Sequence, residues 1–287
     1  MKRLLRSSVF WRGVASIVIF LVLWEIGSRS KQWMAPEFFA SFKALLGAMG
    51  FKKDYLPWIG TVPAPSAVIT SWGDVLTSAG YWMSWYKSFF RVVGGFFAAM
   101  LVGIPFGLML AVSRTANGVF FPTFEVLRPI PPLAWVPASI IFWPTQELSI
   151  TFVTFLGAFY TIVINVLGGA KSIDQRYFQA AQSMGSSGWD IFRRIILPGT
   201  LPSIVVGSAV GMGITWEVVV AAEMISGGGS QSAGTGGGLG FFIWNSYVGG
   251  SYEQIVVGMI SIGIAGYFSS ELLRWLGKYV TPWLRVR

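Results

Sequence analysis

The residues of this chain that are chemically most conspicuous are ionisable side chains inside long apolar runs. Arg128 lies beside three prolines in one such run, and Glu217 and Glu223 lie in another. A charge inside a membrane is costly, so such a residue is treated first as a functional candidate. Two interpretations of Arg128 remain open: it attracts an anion in transit, or it pairs with Glu125 or extends to the interface.

Glu217 and Glu223 are six residues apart, which places them about 120° apart around a helix. Both therefore cannot easily serve one site. Glu223, near the end of its run, is predicted to have a structural or gating role. Glu217 lies deeper and would repel an anion, so it is either paired with a basic residue or indicates a different substrate. The uncharged polar candidates could hydrogen-bond a passing solute, or they could equally form hydrogen bonds that hold helices together. The candidate pathway residues are Arg128, Trp135, Asn165, Thr215, Trp216, Glu217 and Glu223.

The composition excludes most enzyme classes. The chain has no histidine and no cysteine, which rules out disulfide frameworks, thiol catalysis, histidine-containing metal sites and Ser-His-Asp triads. Neither a bound cofactor nor a metal is predicted. Hydrophobic residues make up 54% of the chain and charged residues 11%, against about 25% charged in soluble domains, and the mean hydropathy is +0.62. The sequence therefore predicts an all-α membrane protein.

Six apolar runs are long enough to cross a bilayer, which takes roughly 20 residues. Basic residues concentrate at both termini and in the loop 171–198, so these parts are predicted to be cytoplasmic. The net charge of +9 is interpreted as anchoring to anionic lipid, not nucleic-acid binding, because no basic stripe with interleaved aromatic residues is present. Residues 1–84 hold one span and an external segment, and residues 85–287 hold a five-span core. The predicted spans are residues 9–26, 85–112, 119–143, 148–169, 199–224 and 255–276.

Two external segments have distinct patterns. Apolar residues at helical spacing around Lys43 predict an amphipathic helix within residues 38–49, interpreted as a packed lid or, alternatively, as a contact for a delivery protein. The role of residues 34–59 stays open. The Gly-rich segment 226–240 has no Gly-Lys-Ser/Thr sequence and no preceding strand, so it is interpreted as a flexible linker rather than a phosphate loop. The chain shows no means of hydrolysing ATP.

The polar loop 171–198 contains a fixed spacing of small and apolar residues. Gly185 allows a sharp turn, Ser186 and Ser187 can cap a following helix, and Pro198 suits the first turn of the next span. The pattern predicts a short helix, a turn and a second short helix between two spans, which is a shape suited to docking. The residues that carry the spacing are Gln179, Ala180, Ala181, Gly185, Ile195, Leu197 and Pro198.

This loop resembles the EAA loop of permease subunits in ATP-binding-cassette (ABC) importers, E-A-A-x3-G-x9-I-x-L-P, with Gln179 in place of the family's Glu. The resemblance implies a type I importer (MetI-like) permease fold and a coupling helix that sits in a groove of an ATPase subunit. Trp189 and Phe192 would serve as apolar anchors, and Asp190, Arg193 and Arg194 would form a polar rim. Because Gln179 is uncharged, it cannot form the salt bridge for which the family often uses its Glu, so the expected contact with the ATPase subunit loses that contribution.

The resemblance also implies partners and a location. These are a second permease copy in a homodimer, two ABC ATPase subunits that carry ATP and Mg, an extracytoplasmic solute-binding protein, and a bacterial inner membrane. The runs LRPIPPLAWVP (127–137), AAEMI (221–225) and PAPSAV (63–68) resemble the nitrate, bicarbonate, taurine and aliphatic-sulfonate branch. Trp135 and the run GLGFFIWN (238–245) are most similar to cyanobacterial nitrate and bicarbonate permeases.

The resemblance therefore implies import of a small anion by alternating access, with nitrate or bicarbonate first and taurine or an aliphatic sulfonate as the alternative. Two other classes compete. A secondary transporter driven by an ion gradient would favour detectable inverted repeats, and none is evident. An intramembrane enzyme would need convergent nucleophiles or metal ligands, which a chain without histidine and cysteine does not offer.

Overall fold

The computed structural model describes residues 8–29, 44–45, 47–50, 62–227 and 237–283. The regular structure of these residues is helical, and five helices are long and apolar enough to cross a membrane, counting residues 188–226 as one helix. A 3₁₀ turn (Pro132–Trp135) precedes α5, and a π turn (Phe192–Ile196) joins α8 to α9. The helices are α1 Ser8–Ser28, α2 Pro65–Leu76, α3 Ala79–Val112, α4 Arg114–Leu127, α5 Val136–Phe142, α6 Gln146–Lys171, α7 Gln175–Ser183, α8 Gly188–Ile191, α9 Leu197–Gly227, α10 Leu239–Val248 and α11 Tyr252–Val280.

The apolar run at 119–143 is not a single helix. Helix α4 ends at Leu127, and the chain then passes through the 3₁₀ turn into the short helix α5. Pro129, Pro131 and Pro132 explain the break, because proline has no N–H to donate and its ring clashes with the preceding turn. The interruption leaves Arg128 at the end of α4, where its backbone N–H donates to the carbonyl of Phe124 at 2.9 Å.

The chain divides into two units, Met1–Ser78 with Ser246–Val257, and Ala79–Asn245 with Gly258–Arg287. In the first unit, Glu25 of α1 accepts hydrogen bonds from the backbone N–H (3.1 Å) and hydroxyl (2.9 Å) of Ser66, near the start of α2. Arg29 donates to the same carboxylate at 2.6 Å. Most of the amphipathic helix predicted within residues 38–49, and residues 228–236 of the Gly-rich segment, lie outside the described residues.

The core of the second unit is formed by α3, α6 and α9. Helix α6 packs along both of the other two. Small residues allow these close contacts: a Cβ added at Gly95 of α3 would lie 2.9 Å from Thr154 of α6, and one at Gly107 would lie 2.9 Å from Val166. Helices that approach this closely gain van der Waals contact in a membrane, where the hydrophobic effect does not hold them together.

Aromatic side chains connect α4 to this core. The Phe124 ring of α4 lies 6.1 Å from the ring of Phe106 on α3, and 6.3 and 5.6 Å from the rings of Phe159 and Tyr160 on α6. Because Phe124 is buried, these contacts hold the last turn of α4 against the bundle. They fix the backbone position from which Arg128 extends.

Candidate functional site

The polar loop between α6 and α9 begins with a helix that ends in a defined turn. Helix α7 is capped by Asp174, whose side chain accepts from the backbone N–H of Arg176 at 2.9 Å. At its other end the N–H of Ser186 donates to the carbonyl of Ala181, and the N–H of Gly185 donates to that of Gln182, both at 3.0 Å. This is a Schellman motif. Its residue Gly185 has φ +75°, which residues with a Cβ adopt only under strain.

The second half of the loop is helix α8, which carries Trp189 and is followed directly by Phe192. Ser187 caps α8 by accepting from the N–H of Asp190 at 3.2 Å, and its hydroxyl donates to the Asp190 carboxylate at 2.5 Å. The rings of Trp189 and Phe192 are stacked with centroids 5.5 Å apart. Trp189 is exposed, and Arg194 reaches the Asp190 carboxylate at 3.7 Å. The surface is an aromatic patch with a charged rim.

The structure differs from the sequence-based expectation at the end of this loop. The second short helix is not separate from the fifth span, since α8 continues through the π turn into α9. Pro198 is the second residue of α9, and the π turn ends directly before that helix, where a proline ring would clash with a regular preceding turn. Helices α8 and α9 are thus joined by continuous helical backbone.

The remaining loop residues divide into buried and exposed sets. Ala181 is buried, whereas Gln179, Ala180 and Arg193 are exposed, and Ile195 and Leu197 are half-buried. Two further large side chains, Tyr177 and Met184, are strongly exposed beside them. Sequence reasoning missed these two residues, although large apolar side chains in a polar loop are the signal that marks a partner surface.

Arg128 lines a cavity in the second unit. The cavity has a volume of about 350 Å³, and its walls come from the break after α4, from α6 and from α9. Arg128 also faces Glu125 at 3.4 Å, with the two side chains 42% and 47% exposed. The pairing alternative is therefore observed, and an exposed pair of this length also leaves guanidinium donors free. Attraction of a solute by Arg128 stays a prediction. The lining residues are Arg128, Pro132, Leu156, Gly157, Tyr160, Thr161, Ile164 and Ile214.

Glu217 and Glu223 lie on different sides of α9. Glu223 is fully buried and Glu217 is exposed. Within the described residues Glu217 forms no ion pair, so of the two sequence-based alternatives the pairing with a basic residue of this chain is not found there. Val206 and Val210, which precede Glu217 on α9, are also exposed.

Three predicted pathway residues use polar groups in hydrogen bonds within the bundle and lie outside the walls of the Arg128 cavity. Thr215 is buried and donates to the carbonyl of Gly211 at 2.7 Å. Trp216 is buried between helices and donates from Nε1 to the Ser269 hydroxyl at 3.0 Å. Asn165 donates to the carbonyl of Thr161 at 2.8 Å. Of these three residues, Trp216 joins two helices by its hydrogen bond, as the helix-packing alternative predicts, whereas Thr215 and Asn165 donate to their own helices.

Trp135, the fourth uncharged candidate, closes the 3₁₀ turn before α5. It is half-buried, and its Nε1 is buried without a hydrogen-bond partner among the described residues. The cavity walls do not include Trp135.

Glu223 belongs to a buried charge cluster. Arg91 of α3 donates from Nη1 to Glu223 at 2.8 Å and to the carbonyl of Gly237 at 2.7 Å. It also donates from Nε and Nη2 to Glu147 at 2.7 and 2.5 Å. Glu223 accepts further bonds from the Ser88 hydroxyl at 2.8 Å and from the N–H of Gly240 at 2.9 Å. The cluster ties α3, α6, α9 and the segment before α10 together.

Sequence reasoning did not identify Arg91, Glu147 or Ser88. An arginine in the long apolar run of α3 was a usable signal, since a charge inside a span needs a partner. The identity of that partner was not readable, because Arg91 and Glu223 are 132 residues apart in the chain.

Known proteins resemble this chain over most of its length. The model of the family described as "Binding-protein-dependent transport system inner membrane component" matches residues 103–286. A putative ABC transporter permease of Methanocaldococcus jannaschii is 38% identical over 68% of this chain and 71% of its own. A nitrate import permease of Leptolyngbya laminosa is 34% identical over 72% of this chain and 71% of its own. The taurine transport system permease of Escherichia coli is 33% identical over 77% of this chain and 80% of its own.

A solved structure has the same fold. The crystal structure of a bacterial ABC transporter involved in the import of the acidic polysaccharide alginate has a chain that aligns with 93% of this one and 96% of its own length. The TM-score is 0.56 at 16% identity. A likeness at this identity concerns the fold, which is the MetI-like arrangement of membrane helices.

Proposed function

Because the chain belongs to the family of binding-protein-dependent transport system inner membrane components, we propose that it is the permease subunit of an ATP-driven importer for a small solute with an anionic group. The nitrate and taurine permeases to which it is similar support such a group, as does the guanidinium of Arg128 in the cavity wall. Nitrate and bicarbonate are the first candidates, and taurine or an aliphatic sulfonate is the alternative.

The single observation that carries this proposal is the stacked aromatic pair of exposed Trp189 and half-buried Phe192, where α8 continues through the π turn into a span. A partner that binds α8 can move α9 directly. The proposed partners are two ABC ATPase subunits, which hydrolyse ATP in place of this chain, and an extracytoplasmic solute-binding protein. A second copy of the chain completes a homodimer that works by alternating access. The proposal includes a cytoplasmic location for both termini and for the loop 171–198, because basic residues concentrate in these segments.

The test is to purify the chain after co-expression with the ATPase and solute-binding proteins encoded beside it. We expect an ATPase subunit to co-purify in an amount equal to that of this chain, and the complex to take up solute into proteoliposomes when ATP is supplied. Gly185→Arg should block uptake while the protein remains in the membrane, because a long side chain at φ +75° disrupts the Schellman turn. Solute movement by the chain alone under an ion gradient, without ATP, would overturn the proposal in favour of a secondary transporter.

A further inference from the structure

Glu217 is a carboxylate in a membrane-spanning helix for which the described part of the chain supplies no cation. The side chain is exposed, whereas the residues on either side of it, Trp216 and Val218, are buried. An ionised carboxylate on a span does not remain against lipid, and such residues face water-filled cavities or partner charges. Glu217 therefore faces the solute pathway or another chain.

Its position relates Glu217 to the Arg128 cavity. Ile214 is part of the cavity wall, and Glu217 follows it by three residues on α9. Residues three apart lie on one side of a helix, with a rise of about 4.5 Å between them. The carboxylate of Glu217 therefore lies about one turn beyond the cavity wall, on the face of α9 that includes Ile214.

The cavity itself offers donors for an anionic group. Besides Arg128, its walls contain Tyr160 and Thr161, whose hydroxyl groups have no hydrogen-bond partner among the described residues. A volume of about 350 Å³ is in the range of pockets that hold small organic ligands, roughly 300–1,000 Å³. A guanidinium with two hydroxyls suits a carboxylate or sulfonate, and the other walls are apolar.

A carboxylate beside this site opposes the passage of a simple anion and attracts a cation. We propose that the solute is a small zwitterion, whose acid group binds at Arg128 while its ammonium group binds at Glu217. This inference rests on the proposed function and, among its solutes, selects the taurine-like alternative over nitrate and bicarbonate. Glu217 is then a specificity-determining residue, because it distinguishes an amino acid-like solute from an anion of the same size without the amine.

Taurine and ethanesulfonate test the proposal directly, since the two differ only by the ammonium group. Binding to the assembled transporter without its solute-binding protein is measured from the rise in Tm with ligand concentration, with nitrate as a third probe. We expect taurine to bind about tenfold more tightly than ethanesulfonate, a factor that a charge-assisted hydrogen bond can supply. Glu217→Gln should remove this difference in affinity, and Arg128→Gln should weaken the binding of both taurine and ethanesulfonate. Glu271→Gln, which changes an exposed carboxylate of α11, is the matched control.

Each other result overturns the inference. Nitrate or ethanesulfonate binding as tightly as taurine to the unaltered transporter would contradict it, and so would the lack of any shift with taurine. A preference for taurine that survives Glu217→Gln would show that Glu217 pairs with another chain instead. ATP-driven uptake distinguishes a failure of this inference from a failure of the proposed function. If the transporter hydrolyses ATP and imports a simple anion, the proposed function stands and only the zwitterionic solute is contradicted.

Discussion

Arg91 and Glu223 form an ion pair inside the helix bundle, with 2.8 Å between Arg91 Nη1 and Glu223 Oε1 and with side chains 6% and 0% exposed. Arg91 also donates to Glu147 and to the carbonyl of Gly237. One guanidinium therefore joins three helices and the segment that precedes α10.

The first prediction concerns the loss of that guanidinium. Arg91→Met should destabilise the purified transporter by about 3–5 kcal/mol, because it leaves the Glu223 carboxylate buried without its cation. The double variant Arg91→Met/Glu223→Gln should be less destabilised than Arg91→Met alone, since no charge then remains in the interior. Thermal unfolding in lipid nanodiscs measures both. If the second substitution only adds to the loss, the two residues are not coupled.

The second prediction concerns the glycine that lets the chain approach Glu223. A Cβ at Gly240 would overlap the carbonyl oxygen of Val220 and would lie 2.9 Å from Cβ of Glu223. Gly240→Ala should therefore lower the Tm and break the hydrogen bond from the Gly240 N–H to Glu223. Gly168 of α6 is the matched control, because a Cβ there meets nothing within 4 Å, and Gly168→Ala should be neutral or stabilising by up to about 1 kcal/mol. Equal effects of both substitutions would contradict the packing argument.

Features encoded locally were readable from the sequence, and features that join distant segments were not. The turn at Gly185 and the cap at Ser187 depend on neighbouring residues, so their sequence pattern was sufficient. The break after α4 also has a local cause in its prolines, but the sequence-based prediction counted residues 119–143 as one span, which was wrong. Arg91 and Glu147 are 56 residues apart, and no pattern in one segment names its partner in another.

The same distinction applies to the candidate pathway. The hydroxyl of Thr215 binds its own helix, and Trp216 binds α11, although the sequence made both of them pathway candidates together with Arg128. Which side of α9 faces the interior decides these roles. A helix that is apolar on all sides does not reveal this by its pattern.

The third prediction tests the packing role of Trp216. Its Nε1 donates to Ser269 at 3.0 Å, so Trp216→Phe and Ser269→Ala should each cost about 1 kcal/mol. The double variant should cost less than the sum of the two, because both substitutions remove the same hydrogen bond. Solute affinity should not change in any of the three, which titration of the purified transporter checks. A selective loss of solute affinity in Trp216→Phe would return this residue to the pathway.

The fourth prediction concerns the exposed aromatic patch of the loop. Trp189 is 68% exposed, so Trp189→Ala should change the free energy of unfolding of the isolated permease by no more than about 0.5 kcal/mol. Its affinity for the ATPase subunit should fall by about 2 kcal/mol or more, as expected for a tryptophan at an interface centre. Leu101→Ala, at a side chain 78% exposed on α3, is the control and should leave this affinity intact. Equal binding by both variants would exclude α8 from the interface.

The fifth prediction separates the turn at Gly185 from the composition of the loop. Because its φ is +75°, Gly185→Ala introduces strain of about 1–2 kcal/mol in the left-handed conformation, whereas Gly185→Asn introduces less, since asparagine tolerates it. The solute transported per ATP hydrolysed should therefore fall in the order Gly, Asn, Ala at position 185. Gly188, at the start of α8, has no positive φ and open space around a Cβ, so Gly188→Ala should transport like the unaltered protein. If Gly188→Ala lowers transport as much as Gly185→Ala, the effect comes from loop stiffness, and the Schellman turn has no specific part in coupling.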